Sequence, residues 1–97
     1  MLRLRFLTPA WRQLRAAAQW RRKHRDKAPD AFDDDLAEGF LLIRREPGVG
    51  VPVRFGRRRD VRKLHLERIR YDVYYRVVRD EVRILAIRHS SRRPPSL

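Results

Sequence analysis

The 97 residues hold 25 lysines and arginines against 12 acidic residues, for a formal charge of +13, and no cysteine. A chain of this length supports one domain with one modest core, and without cysteine it has no disulfides, thiol catalysis or cysteine-based zinc sites. The charge calls for an anionic partner but does not choose among nucleic acid, an acidic protein segment and an anionic membrane surface. Arginine outnumbers lysine 22 to 3, a bias that a GC-rich genome would also impose.

Leu2, Leu4 and Phe6 alternate with Arg3 and Arg5, the period of a half-buried strand. Charge at every second position rules this opening out as a signal-peptide core, and no uncharged stretch is long enough to span a bilayer, so a cytoplasmic protein with no membrane partner is expected. Thr8 and Pro9 supply the cap and first-turn proline of a helix over 9–24. Trp11, Leu14, Ala17 and Ala18 lie on one side of it, and Arg12, Arg15, Arg22 and Lys23 face water. The cationic run from Arg21 to Arg25 suits the negative end of the helix dipole, or a nucleic-acid patch. Ala28-Pro29-Asp30 breaks the helix, and Asp30 caps a second one. Asp33, Asp34 and Asp35 in its first turns suit the dipole better than a metal ion, because consecutive helical residues splay around the axis. Phe32, Leu36, Gly39, Phe40 and Ile43 fall on one face, with Gly39 permitting close approach to the neighbouring helix.

Pro47 to Pro52 ends this helix and begins a loop running to Asp60; its glycines lack the lysine and hydroxyl of a phosphate-binding loop. Three strands follow, over 61–66, 71–78 and 81–89. With Arg79-Asp80 at the tip of a two-residue hairpin, Tyr75 pairs with Ile84, Val73 with Ala86 and Val77 with Val82, all six facing the helices. The expected fold is α+β: an N-terminal strand, an antiparallel helical hairpin, then three antiparallel strands, with the helices on one face of the sheet. One domain over 1–90 is followed by a basic arm over 91–97 that leaves the sheet from Arg88 and carries Arg92, Arg93 and Pro94-Pro95.

The other face then carries Lys63, His65, Asp72, Tyr74, Arg76, Arg83, Leu85 and Ile87. Arg76 and Arg83 stand directly opposed, a repulsion relieved by a bound anion, by solvent, or by pairing with Asp72 and Glu81. Leu85, Ile87 and Tyr74 form an apolar strip that calls for cover from a partner chain or from the tail. His24, His65 and His89 lie on different elements without metal-ligand spacing, so neither a metal nor a cofactor is expected. Lys63, His65, Arg76 and Arg92 together form a weak candidate set for phosphodiester chemistry.

In its order of elements, in the segments 61–66, 71–78 and 82–89, and in Arg92-Arg93-Pro94-Pro95, the chain resembles the RelE/ParE superfamily of type II toxin–antitoxin toxins. Thr8-Pro9-Ala10 and Pro47 with the glycines after it resemble the family's punctuation. The resemblance implies a toxin that forms a hetero-oligomer with a cognate antitoxin, whose flexible, often acidic segment wraps it. Tyr74, Arg76, Arg83, Leu85 and Ile87 would bind that segment. RelE-like relatives cut messenger RNA on the ribosome; here Lys63 and Arg92 match their set, His65 stands for a second lysine and Asp72 for an arginine, and the terminal tyrosine is missing. ParE-like relatives poison DNA gyrase without chemistry of their own, and the chain is closer to these, with Arg88, His89, Arg92 and Arg93 expected to meet the target. The ribosomal nuclease is the alternative, and a plain basic RNA-binding domain the third reading.

Overall fold

A computed structural model describes residues 1–24 and 29–90. Its elements are β1 (Arg3–Phe6), α1 (Thr8–His24), α2 (Pro29–Arg45), β2 (Val51–Phe55), β3 (Arg58–Leu66), β4 (Tyr71–Val78) and β5 (Glu81–His89). The strands form one sheet in the order β1-β5-β4-β3-β2, with β1 parallel to β5 and the other pairs antiparallel. The expected α+β architecture therefore holds, with one strand more than the sequence suggested. The segment read as loop contains β2, and β3 starts at Arg58. Pro52 is compatible with this strand because β2 lies at the sheet edge, where an absent N–H breaks no ladder. Gly56, at φ 60, takes the first position of the two-residue turn into β3, a conformation that only glycine adopts without cost.

The main core lies between the helices and one face of the sheet. Ala10 and Ala17 of α1 and Phe32, Leu36 and Ile43 of α2 meet Val73 and Tyr75 of β4 and Val82, Ile84 and Ile87 of β5. Phe32 packs edge-on against Tyr71 at 5.1 Å. The stripe on α1 is centred on Ala10, Leu14 and Ala17, which leaves Trp11 half exposed and edge-on to Phe6 at 5.8 Å instead of in the core. Gly39 serves a close approach to the sheet and not to the other helix: a Cβ there would stand 3.0 Å from Leu66 Cδ2. The basic run from Arg21 to Arg25, the break at Ala28 and the cap at Asp30 rest on positions outside the described residues and side chains.

The hairpin tip sits where it was expected, with Arg79 at φ 58 and Tyr75 paired with Ile84 and Val77 with Val82. Beyond Tyr75 the register shifts: Tyr74 faces Ala86 and Val73 faces Ile87, so Leu85 is the extra residue of a bulge. The expected pairing of Val73 with Ala86 is thereby replaced, and everything C-terminal to Leu85 changes face. Gln13 on α1 accepts the Ile87 N–H at 2.7 Å, beyond the last bond from the β1 side, Leu7 N–H to the Ile84 carbonyl. The loop before β2 is fixed from inside the core: the fully buried Tyr75 donates its hydroxyl proton to the Pro47 carbonyl at 2.7 Å and accepts the Gly50 N–H at 2.9 Å.

Candidate functional site

Away from the helices, the sheet presents a face where the register sets Lys63 opposite Tyr74, His65 opposite Asp72, Arg76 opposite Arg83 and Arg88 opposite Asp72. Its centre is a second, smaller core. Val61, Tyr74, Leu85 and Ala86 are buried together, with Leu7, Val53 and Phe55 packed against them and the Phe55 ring 5.4 Å from that of Tyr74. The strip expected to await a partner is thus largely covered by residues of β2 and by Leu7, at the junction of β1 and α1. Ile87 is not part of it: the bulge turns Ile87 into the helix-side core, where it is 2% exposed, and brings Ala86 to this face.

The opposed arginines each have an internal carboxylate. Arg76 donates to Asp60 at 2.8 Å, and Arg83 donates to Glu81 at 3.2 Å. Glu81 was anticipated; Asp60 takes the place foreseen for Asp72. Reading 57–60 as loop hid Asp60, which in fact lies within β3. The Asp60 carboxyl is held below its ordinary range chiefly by the Arg76 hydrogen bond.

Asp72 instead engages His65. Asp72 Oδ1 lies 2.7 Å from His65 Nδ1, and Glu67 Oε2 lies 2.7 Å from His65 Nε2. With a carboxylate on each ring nitrogen both nitrogens act as donors, and the imidazolium is favoured. Its pKa is raised above the ordinary 6.5, chiefly by the Asp72 hydrogen bond, with burial the main opposing effect and the Glu67 hydrogen bond adding to the rise. Glu67 was missed because it lies in the turn after β3, two residues from His65.

A raised histidine pKa stabilises the fold fully below the unfolded value and loses that contribution as pH climbs through the folded value. Stability is therefore expected to fall as pH rises from about 6 through the raised folded value of His65, and Asp72→Asn should flatten this slope. Urea midpoints of both proteins across that interval test the point; an unchanged slope in Asp72→Asn would show that the pair does not control His65.

Arg88 and His89 belong to β5 and do not leave the sheet as expected. The His89 ring meets Tyr71 edge-on at 5.3 Å, and Ser90 N–H donates to the Arg70 carbonyl at 2.8 Å, so the strand is held to its last residue. Arg88 faces the same side as Asp72, and its Nε is buried without a hydrogen-bond partner among the described residues. Arg92 and Arg93 lie outside the described residues. The face thus brings Lys63, His65 and Arg76 together with Tyr74, Arg83, Leu85 and Arg88, and separates Ile87 and His89 from them. Among the described residues no group of histidines and carboxylates has the arrangement of a metal site, and no helix is long and apolar enough to cross a membrane.

The family described as ParE toxin of type II toxin–antitoxin system, parDE, matches over residues 4–94. No curated protein sequence matches. Among solved structures, the chromosomal ParDE toxin–antitoxin system of P. aeruginosa is similar with a TM-score of 0.69 and 24% identity, over 92% of this chain and 96% of that one. The isolated E. coli RelE toxin is similar with a TM-score of 0.65 and 17% identity, over 96% of this chain and 88% of that one. A copper-bound mutant toxin from Helicobacter pylori gives 0.68 and 17%, over 94% and 97%.

Proposed function

Because this chain belongs to the ParE toxin family of type II toxin–antitoxin systems, with a cognate antitoxin as its partner, we propose that it inhibits growth by binding and poisoning DNA gyrase and is not a ribosome-dependent nuclease. The observation that carries this reading is the Asp72–His65–Glu67 arrangement on the open face. Cutting a phosphodiester calls for cations aimed at the developing charge and a group free to take a proton. Here a carboxylate stands where an arginine would be needed, and the histidine has both ring nitrogens engaged by carboxylates, so neither is free to take a proton from a substrate, with its pKa shifted towards the charged form. Lys63 remains on the face, and likeness in fold to the RelE toxin keeps the nuclease as the second reading.

Purified toxin added to gyrase and supercoiled DNA is expected to accumulate cleaved gyrase–DNA complexes, and added to programmed ribosomes to leave the message intact. Cleavage of message in the ribosomal A site, lost in Lys63→Ala or Arg92→Ala, would reverse the assignment.

A further inference from the structure

We propose that Lys63, Tyr74 and Arg88 form a receptor for one carboxylate of the cognate antitoxin. The inference rests on the family's antitoxin partnership and is independent of which target the toxin attacks. Most cations on the open face are already taken. Arg76 is paired with Asp60, Arg83 with Glu81, and His65 with Asp72 and Glu67. Arg88 is different. It stands across from Asp72, but the Asp72 Oδ1 oxygen is held by His65, and the Arg88 Nε is buried with no acceptor among the described residues. A buried donor left unsatisfied costs free energy until an acceptor arrives.

Two more donors lie on the same face. Lys63 is directly opposite Tyr74 and makes no ion pair among the described residues. The Tyr74 phenol feels both Asp72 and Arg88, and burial above all keeps it protonated, so it offers an O–H. These three residues sit on the adjacent strands β3, β4 and β5, about 5 Å apart from one strand to the next, with Arg88 two residues along from the Lys63–Tyr74–Ala86 row, an offset that long lysine and arginine side chains can span.

The local charge selects the ligand. His65 engages Asp72 and Glu67, which leaves the positive charge of Lys63 and Arg88 without a carboxylate among the described residues, and Glu67 is largely exposed at the rim. A carboxylate answers that charge, whereas successive phosphates of a nucleic acid would run into Glu67. The buried apolar cluster of Tyr74, Leu85 and Ala86 beneath the site lowers the local polarity and strengthens charge-assisted hydrogen bonds to that carboxylate. Arg88 is accordingly assigned to the antitoxin and not to the toxin's target.

The test is the affinity of the full chain for purified cognate antitoxin, with melting curves confirming that each variant folds. Arg88→Gln and Lys63→Gln are each expected to weaken binding roughly 10- to 100-fold. Arg12→Gln, the same charge change on the exposed surface of α1, should cost no more than about twofold. Arg88→Lys keeps the charge without the Nε donor and should fall between wild type and Arg88→Gln, which secures the result if the glutamine variant folds poorly. If wild type binds antitoxin but Arg88→Gln and Arg88→Lys behave like Arg12→Gln, the receptor is wrong while the toxin reading stands. A wild-type chain that does not bind the antitoxin overturns both. Loss of affinity for an RNA oligonucleotide in Arg88→Gln, with antitoxin binding intact, would identify a phosphate site instead.

Discussion

Tyr75→Phe is expected to cost roughly 2–4 kcal/mol of folding stability, although it removes one oxygen and leaves the ring in place. The hydroxyl is fully buried and joins two backbone groups from the loop before β2: it donates to the Pro47 carbonyl and accepts the Gly50 N–H. Without it both groups lose their partner, and an unsatisfied buried polar group costs about 1–3 kcal/mol. On a total of about 5–15 kcal/mol this is a large share. Gly50→Ala tests the same lock from the other side, since a Cβ there would stand 2.8 Å from the Tyr75 hydroxyl and 3.0 Å from the Lys63 carbonyl. The two losses should not add, because Tyr75→Phe removes one of the atoms that the new methyl meets. Urea unfolding of the two single variants and the double variant measures this. A Tyr75→Phe midpoint equal to wild type would mean that the loop is held by Arg62, which donates to the Gly50 carbonyl at 2.7 Å, and not by the tyrosine.

This lock was not legible in the sequence, because it joins residues 25 or more positions apart and depends on β2, which proline and glycine disguised as loop. What could be read were the elements with unambiguous periodicity. Leu2, Leu4 and Phe6 marked β1, Phe32, Leu36 and Ile43 marked the inner face of α2, and Arg79-Asp80 marked the hairpin tip, from which Tyr75 with Ile84 and Val77 with Val82 followed by counting. Counting failed at Leu85. The run Ile84-Leu85-Ala86-Ile87 is apolar throughout, so it carries no alternation that would reveal a change of phase, and a bulge is such a change. The site suffered the same error: His65 and Asp72 were placed correctly on the open face, while Ile87 was assigned to the wrong side and Arg88 to a tail. The family resemblance came from the order of elements together with the hairpin segments and Arg92-Arg93-Pro94-Pro95, which a one-residue slip in register does not disturb.

Leu85→Asp tests where that slip leads. A strip awaiting a partner would tolerate the substitution in the free toxin and lose only antitoxin affinity. Leu85 is instead 7% exposed, in contact with Val61, Tyr74 and Ala86 beneath Leu7, Val53 and Phe55. Removing the side chain alone, as in Leu85→Ala, costs about 2–5 kcal/mol. A carboxylate in the same place adds a desolvation cost of several kcal/mol, only part of which is recovered by protonation or by a nearby arginine. The free Leu85→Asp chain is therefore expected to be unfolded at growth temperature and non-toxic, and its antitoxin binding to fall because little folded toxin is present. Leu85→Ala should melt well below wild type and still bind antitoxin when folded. Melting of the free variants separates the two cases: if Leu85→Asp melts with wild type while its affinity for the antitoxin collapses, the small cluster is an interface and its assignment as core is wrong.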